Sequence, residues 1–240
     1  MLFDLRGRGR RRTVQVIYLS LALLLGGGLV LFGIGGDVSG GLVDAFREGG
    51  GNENEAIEEQ VDKAEDRVNA NRQDPAAWAE LALARYQLAG VSEGFDEQAG
   101  TFTGEARAQV DQAIRAWDQH LKLAGNNPDP DVAANMKNAF LALDQPERAV
   151  RTQEILIDGT ENPGYGDYAT LAELAYAAGQ ILKGDRAAQR AKEIAKEENA
   201  SKEIRDQLKT GLDQAKQQAE AAAAQEATQG AGAAPPATTP

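Results

Sequence analysis

Gly90-Val91-Ser92-Glu93-Gly94 fits G-x-S-x-G, the pentapeptide that in one class of hydrolases turns sharply from a strand into a helix and exposes a serine nucleophile. The histidine of such a triad follows the serine in the chain, and His120, the single histidine, does follow. No strand-like segment precedes Gly90, however, and a helix that ends at a glycine accounts for the same residues. His120 shares a helical stripe with Ala113, Trp117 and Leu121, which is the place for a packed side chain. Metal chemistry finds no better footing. With one histidine and no cysteine only carboxylates remain, and Asp129-Pro130-Asp131 lacks the further oxygen ligands of a calcium loop. No glycine-rich phosphate loop follows a strand. The expectation is a protein that is not an enzyme, with no catalytic, cofactor or metal residues.

The residues suited to recognition are aromatic. Val91 to Thr103 (VSEGFDEQAGTFT), within an insertion at 91–104, carries Phe95 and Phe102 among glycines and acids. Aromatic side chains on a loop without a core of their own are often contact elements. The alternative is a lid, with both rings folded back over the first helix pair, and the sequence leaves the two readings open.

Helices must position whatever else binds. Alanine is abundant, aromatics are sparse, and good helix formers dominate from Glu53 to about Thr228 with no convincing strand. The class expected is all-α. From Asp37 onward the chain holds every acidic residue but Asp4 and every basic residue but five arginines, so 36 acids face 20 bases for a formal charge of −16. So acidic a region repels nucleic acid and anionic lipid headgroups. Without cysteine, its stability must come from its core.

No charged residue lies between Arg12 and Asp37, and Arg6, Arg8, Arg10, Arg11 and Arg12 come just before. As a helix, Val14 to Ile34 would be about 31 Å long, enough to cross a hydrocarbon core of about 30 Å. The run is longer than a secretory signal requires and no Ala-x-Ala follows it, which favours an uncleaved anchor over a cleaved leader. The arginines place the N-terminus in the cytoplasm. The expected layout is a basic tail (1–13), a transmembrane helix (14–36), a glycine-rich tether (37–52), a helical domain (53–199), a C-terminal helix (200–228) and a disordered tail (229–240). That makes a single-pass protein of the cell membrane with its C-terminal domain extracytoplasmic.

The helical domain repeats. Trp78-x-x-Leu81-Ala82 is followed by Ala113-x-x-x-Trp117, then Ala133, Met136 and Phe140 lead to Ala149, and Tyr168-x-x-Leu171-Ala172 leads to Ala187 and Ala191. Trp78 to Ala133 is 55 residues and Ala133 to Tyr168 is 35. On these residues the chain resembles a tetratricopeptide-repeat (TPR) protein, whose helix-turn-helix unit is about 34 residues long. The match covers roughly Glu53 to Glu197, in about three units. The first holds an insertion, and the third is read with about three extra residues around Ile181 to Lys183. Lys137 and Gln153 depart from the pattern, standing where it has a small and an aromatic residue.

The resemblance implies a superhelix of antiparallel helix pairs with the first helix of each lining a concave groove. Carried over by register, the groove residues are Leu83, Tyr86 and Gln87 from the first unit, Asn138 and Leu141 from the second, and Glu173 and Tyr176 from the third. With Phe95 and Phe102 these are the candidate partner-binding residues. They form no lysine or arginine clamp, so an extended or helical protein segment is the expected ligand. The implied function is a scaffold or adaptor that binds proteins, a holdase or assembly factor for exported or envelope proteins being one such role. The competing reading is a module for cell-envelope polymer or a small ligand, built on the aromatic insertion. The oligomeric state is not legible.

Overall fold

A side chain that satisfies the free N–H groups at a helix start fixes where the helix begins, and Asp74 and Asp129 do so here. The computed structural model describes residues 53–96 and 98–231. The segments 1–13, 14–36 and 37–52, and the tail beyond 231, lie outside the described residues. Among the described residues eight helices run α1 (Glu53–Ala70), α2 (Pro75–Val91), α3 (Gly104–Ala124), α4 (Pro130–Ala142), α5 (Pro146–Gly159), α6 (Tyr165–Ala177), α7 (Ile181–Glu197) and α8 (Lys202–Ala231). Among the described residues none is long and apolar enough to cross a membrane. The described residues are all-helical apart from one β-hairpin, as composition predicts.

Asp74 Oδ1 accepts the Ala76 N–H at 2.9 Å, and Asp129 Oδ1 accepts the Asp131 N–H at 2.9 Å. In each case a proline follows at the first helical position. Gly164 starts α6 in their place, and its N–H donates to Asp167 Oδ2 at 2.9 Å. The three starts are separated by the same 55 and 35 residues as Trp78, Ala133 and Tyr168.

The ends repeat as well. After α4 the Gln145 N–H donates to Phe140 O and the Asp144 N–H to Leu141 O, with Asp144 at φ 55°. After α6 the same bonds run from Gln180 to Ala175 and from Gly179 to Tyr176, with Gly179 at φ 68°. This is a Schellman turn, with one left-handed residue closing each helix. It recurs after α7 at Asn199.

These turns fold the chain into hairpins. α2 packs on α3, α4 on α5 and α6 on α7, while α4 also touches α2 and α3, and α5 touches α6. The helices cross at a small residue, Ala113 or Ala149, both fully buried. In the third hairpin that position belongs to Gly184. α5 and α7 begin 35 residues apart, so the extra residues expected around Ile181 to Lys183 are not there, and Ala187 is not the crossing residue. A Cβ on Gly184 would overlap the Tyr176 ring, and this large ring at the crossing demands a residue smaller than alanine.

The insertion forms two short antiparallel strands, β1 (Phe95–Asp96) and β2 (Thr101–Phe102), although no strand is legible there. Asp96 Oδ1 accepts the N–H groups of Gln98 and Ala99, turning the chain back. Gly94, at φ 98°, lies where a Cβ would strike the Thr103 carbonyl. α8 closes the far end, burying Leu208, Leu212 and Ala215 against α6 and α7. From Gln217 to Gln225 all side chains but Ala219 are exposed, and the helix continues to Ala231, three residues past its expected end.

α1 buries Ile57, Val61, Ala64 and Val68 on one stripe. Its Glu65 and Arg67 pair with Arg85 and Glu80 of α2, and Arg85 reaches on to Gln109 of α3 at 2.8 Å. His120 makes a second three-way junction. It is 3% exposed and stacked on Trp117, with Nδ1 2.9 Å from Pro75 O and Nε2 accepting the Asp129 N–H at 2.9 Å. A carbonyl only accepts and an amide only donates, so the ring is neutral and carries its proton on Nδ1. One side chain of α3 thereby fixes the starts of both α2 and α4.

Two substitutions test this packing. His120→Ala leaves a carbonyl and an amide without partners and opens a cavity beside Trp117, so urea denaturation is expected to show a loss of about 2–4 kcal/mol. Gly184→Ala inside a helix would ordinarily add about 1 kcal/mol of stability. Overlap with Tyr176 outweighs that gain, and a net loss of about 1–3 kcal/mol is expected in the same measurement.

Candidate functional site

The residues placed on the binding surface by register do not form one continuous face. Phe102 is 9% exposed, stacks on Phe95 at 4.9 Å and meets Tyr86 edge-on at 6.2 Å. Both rings of the insertion are thus folded against the first hairpin, as a lid would be. Tyr86 lies beneath them, and burial raises the pKa of its hydroxyl. Tyr176 is only 3% exposed, with its ring against Gly184 and its hydroxyl donating to Asp185 Oδ1 at 2.8 Å. Desolvation first, and that hydrogen bond second, raise its pKa. Expected as a stacking surface, Tyr176 is a core residue, because a glycine on α7 lets its ring sink between the helices.

Leu83 and Gln87 face a cleft of about 390 Å3 between α1 and α2. Gln60, Lys63, Ala64 and Arg67 form its α1 wall, and Glu80 and Ala84 complete the α2 side. That α1 lies along these positions is not legible from spacing within α2. Farther along the chain, Asn138 is exposed, and Leu141 and Glu173 are half-buried.

The two departures from the repeat pattern answer each other. Lys137 Nζ donates to Gln153 Oε1 at 2.9 Å, and Gln153 Nε2 donates to the Asp167 carbonyl at 3.2 Å. Gln153 is 2% exposed, and this chain of bonds ties α4, α5 and α6 together. Burial lowers the pKa of the Lys137 amine, and the nearby Asp167 charge pulls against that shift. The signal in the sequence is the pair itself, since a polar residue at both contact positions permits a bond that neither makes alone.

Glu173 has no such answer. Burial raises its pKa to about 7, and its carboxyl makes no hydrogen bond or ion pair among the described residues. Every other acid of similar burial has a partner. Glu65 pairs with Arg85, Asp111 with Arg107, Glu154 with Lys183 and Asp185 with Lys216. Asp74, Asp129 and Asp167 bond to backbone N–H groups at helix starts.

The hydrolase-like pentapeptide runs over the end of α2, where Ser92 Oγ donates to Leu88 O at 2.7 Å. Both nitrogens of His120 are engaged elsewhere. Among the described residues no cluster of acids and histidine could hold a metal ion.

Glu173 gives a pH dependence of definite sign. Its folded pKa lies above the ordinary 4.5, so the stability tied to its neutral form is complete below about pH 4.5 and lost as the pH rises through about 7. The accumulated penalty is on the order of 2–3 kcal/mol. Glu173→Gln cannot ionise, so it should match the parent near pH 4.5 and exceed it in stability by on the order of 2 kcal/mol at pH 8. Urea unfolding at the two pH values measures this, and an equal difference at both would contradict the burial of the carboxyl. No family model matches the chain, and neither does any curated protein or solved structure.

Proposed function

We propose that the chain is a membrane-tethered, extracytoplasmic TPR-like scaffold that binds a segment of another protein along the first helices of its hairpins. One observation carries the reading. α2 and α4 start on the same aspartate cap, α4 and α6 end in the same turn, and all three starts keep the intervals set by Trp78, Ala133 and Tyr168, so corresponding positions recur from hairpin to hairpin. At one such position stand Leu83, Asn138 and Glu173, and these are side chains of different chemistry, as a binding row needs and a core does not. The anchor is the apolar segment 14–36 with its arginine flank, and the acidic character beyond it suits an external domain kept away from the lipid surface. Phe95 and Phe102 are packed on one another and on Tyr86, which leaves little aromatic surface for a glycan.

A photocrosslinking amino acid placed at Asn138 in living cells tests this reading. Defined protein adducts are expected at Asn138 and none at the exposed Arg151 of α5. The same adducts at both positions, or at neither, would remove the assignment.

A further inference from the structure

Among the described residues Glu173 is the half-buried acid without a counter-charge or hydrogen-bond partner. It lies on α6 between Ala172, which is fully buried, and Leu174, which is 7% exposed. Four lysines on neighbouring elements are engaged elsewhere. Lys137 holds Gln153, Lys183 holds Glu154, Lys192 holds Asp213, and Lys216 holds Asp185. An acid taken partly out of water without a partner is costly, and the seven other half-buried acids of the described residues all have one. Its register partners, Leu83 and Asn138, carry no charge, so the position on α6 differs from both in kind.

We infer that the α6 face at Glu173 receives a lysine or arginine side chain from the partner polypeptide, flanked in that partner by apolar residues that meet Leu141. The inference rests on the binding row proposed above and names the chemistry of its occupant. Charge complementarity carries it. A cation arriving at a desolvated carboxylate meets little competition from water, and one that is already paired gains nothing. An acidic or neutral segment in the same place would leave Glu173 as uncompensated as it is in the free protein. Arginine suits the site better than lysine where two carboxylate oxygens are open, since its planar fork binds both.

Carboxyl 13C NMR of the full chain in detergent micelles tests the inference, with the Glu173 signal identified by its loss in Glu173→Gln. The probes are a short Ser/Leu peptide with one central arginine and its counterpart with glutamine there. The arginine peptide is expected to lower the Glu173 titration midpoint by about one pH unit or more, and the glutamine peptide to leave it in place. Both peptides should perturb the side-chain amide of Asn138. If Asn138 responds to both peptides while the Glu173 midpoint stays fixed, the cation site is overturned and the binding row survives. If the midpoint falls while Asn138 is silent, the cation site stands and the row does not. No response at either residue overturns both.

Discussion

Two helices can lie close along their length only if the residue at their crossing is small enough, and each hairpin of this protein depends on that constraint. Ala113 and Ala149 meet it in the first two, and Gly184 in the third. The difference of one methyl group has consequences across the hairpin. With glycine, a whole tyrosine ring enters, and Tyr176 exchanges an exposed position for a buried one, anchored by its bond to Asp185.

Joining the hairpins is a different matter, settled by polar side chains that reach backbone groups. His120 links the starts of α2 and α4, and Gln153 links α5 to the start of α6. In both cases the junction falls at a helix start, where N–H and C=O groups would otherwise lack partners. Surface ion pairs such as Lys63–Glu59 contribute little by comparison, being solvated on both sides. Arg85 is the exception, since at 14% side-chain exposure it holds α1 and α3 to α2 at once.

Stability and recognition then divide along the chain. The first hairpin spends its aromatics on itself, with the insertion laid over Tyr86 and α1 laid along Leu83 and Gln87. The later hairpins leave Asn138, Leu141 and Glu173 less encumbered. A surface read from register alone spreads evenly over three units, whereas in the folded protein Asn138 is the one of these register positions that is fully exposed.

What the sequence determined by itself is local. The helical class and the 55- and 35-residue intervals follow from apolar spacing within one helix. The burial of Leu208 and Leu212 on the closing helix was legible for the same reason. The tertiary structure decided which of the register-equivalent side chains face outward, that Lys137 and Gln153 satisfy each other, and that Glu173 has no counter-charge among the described residues. It also removed the extra residues expected before Gly184, because a glycine can stand for an alanine only when the ring opposite it is seen. Those outcomes depend on what another helix brings to the same place, and spacing along one helix carries no record of the size or charge of its neighbour.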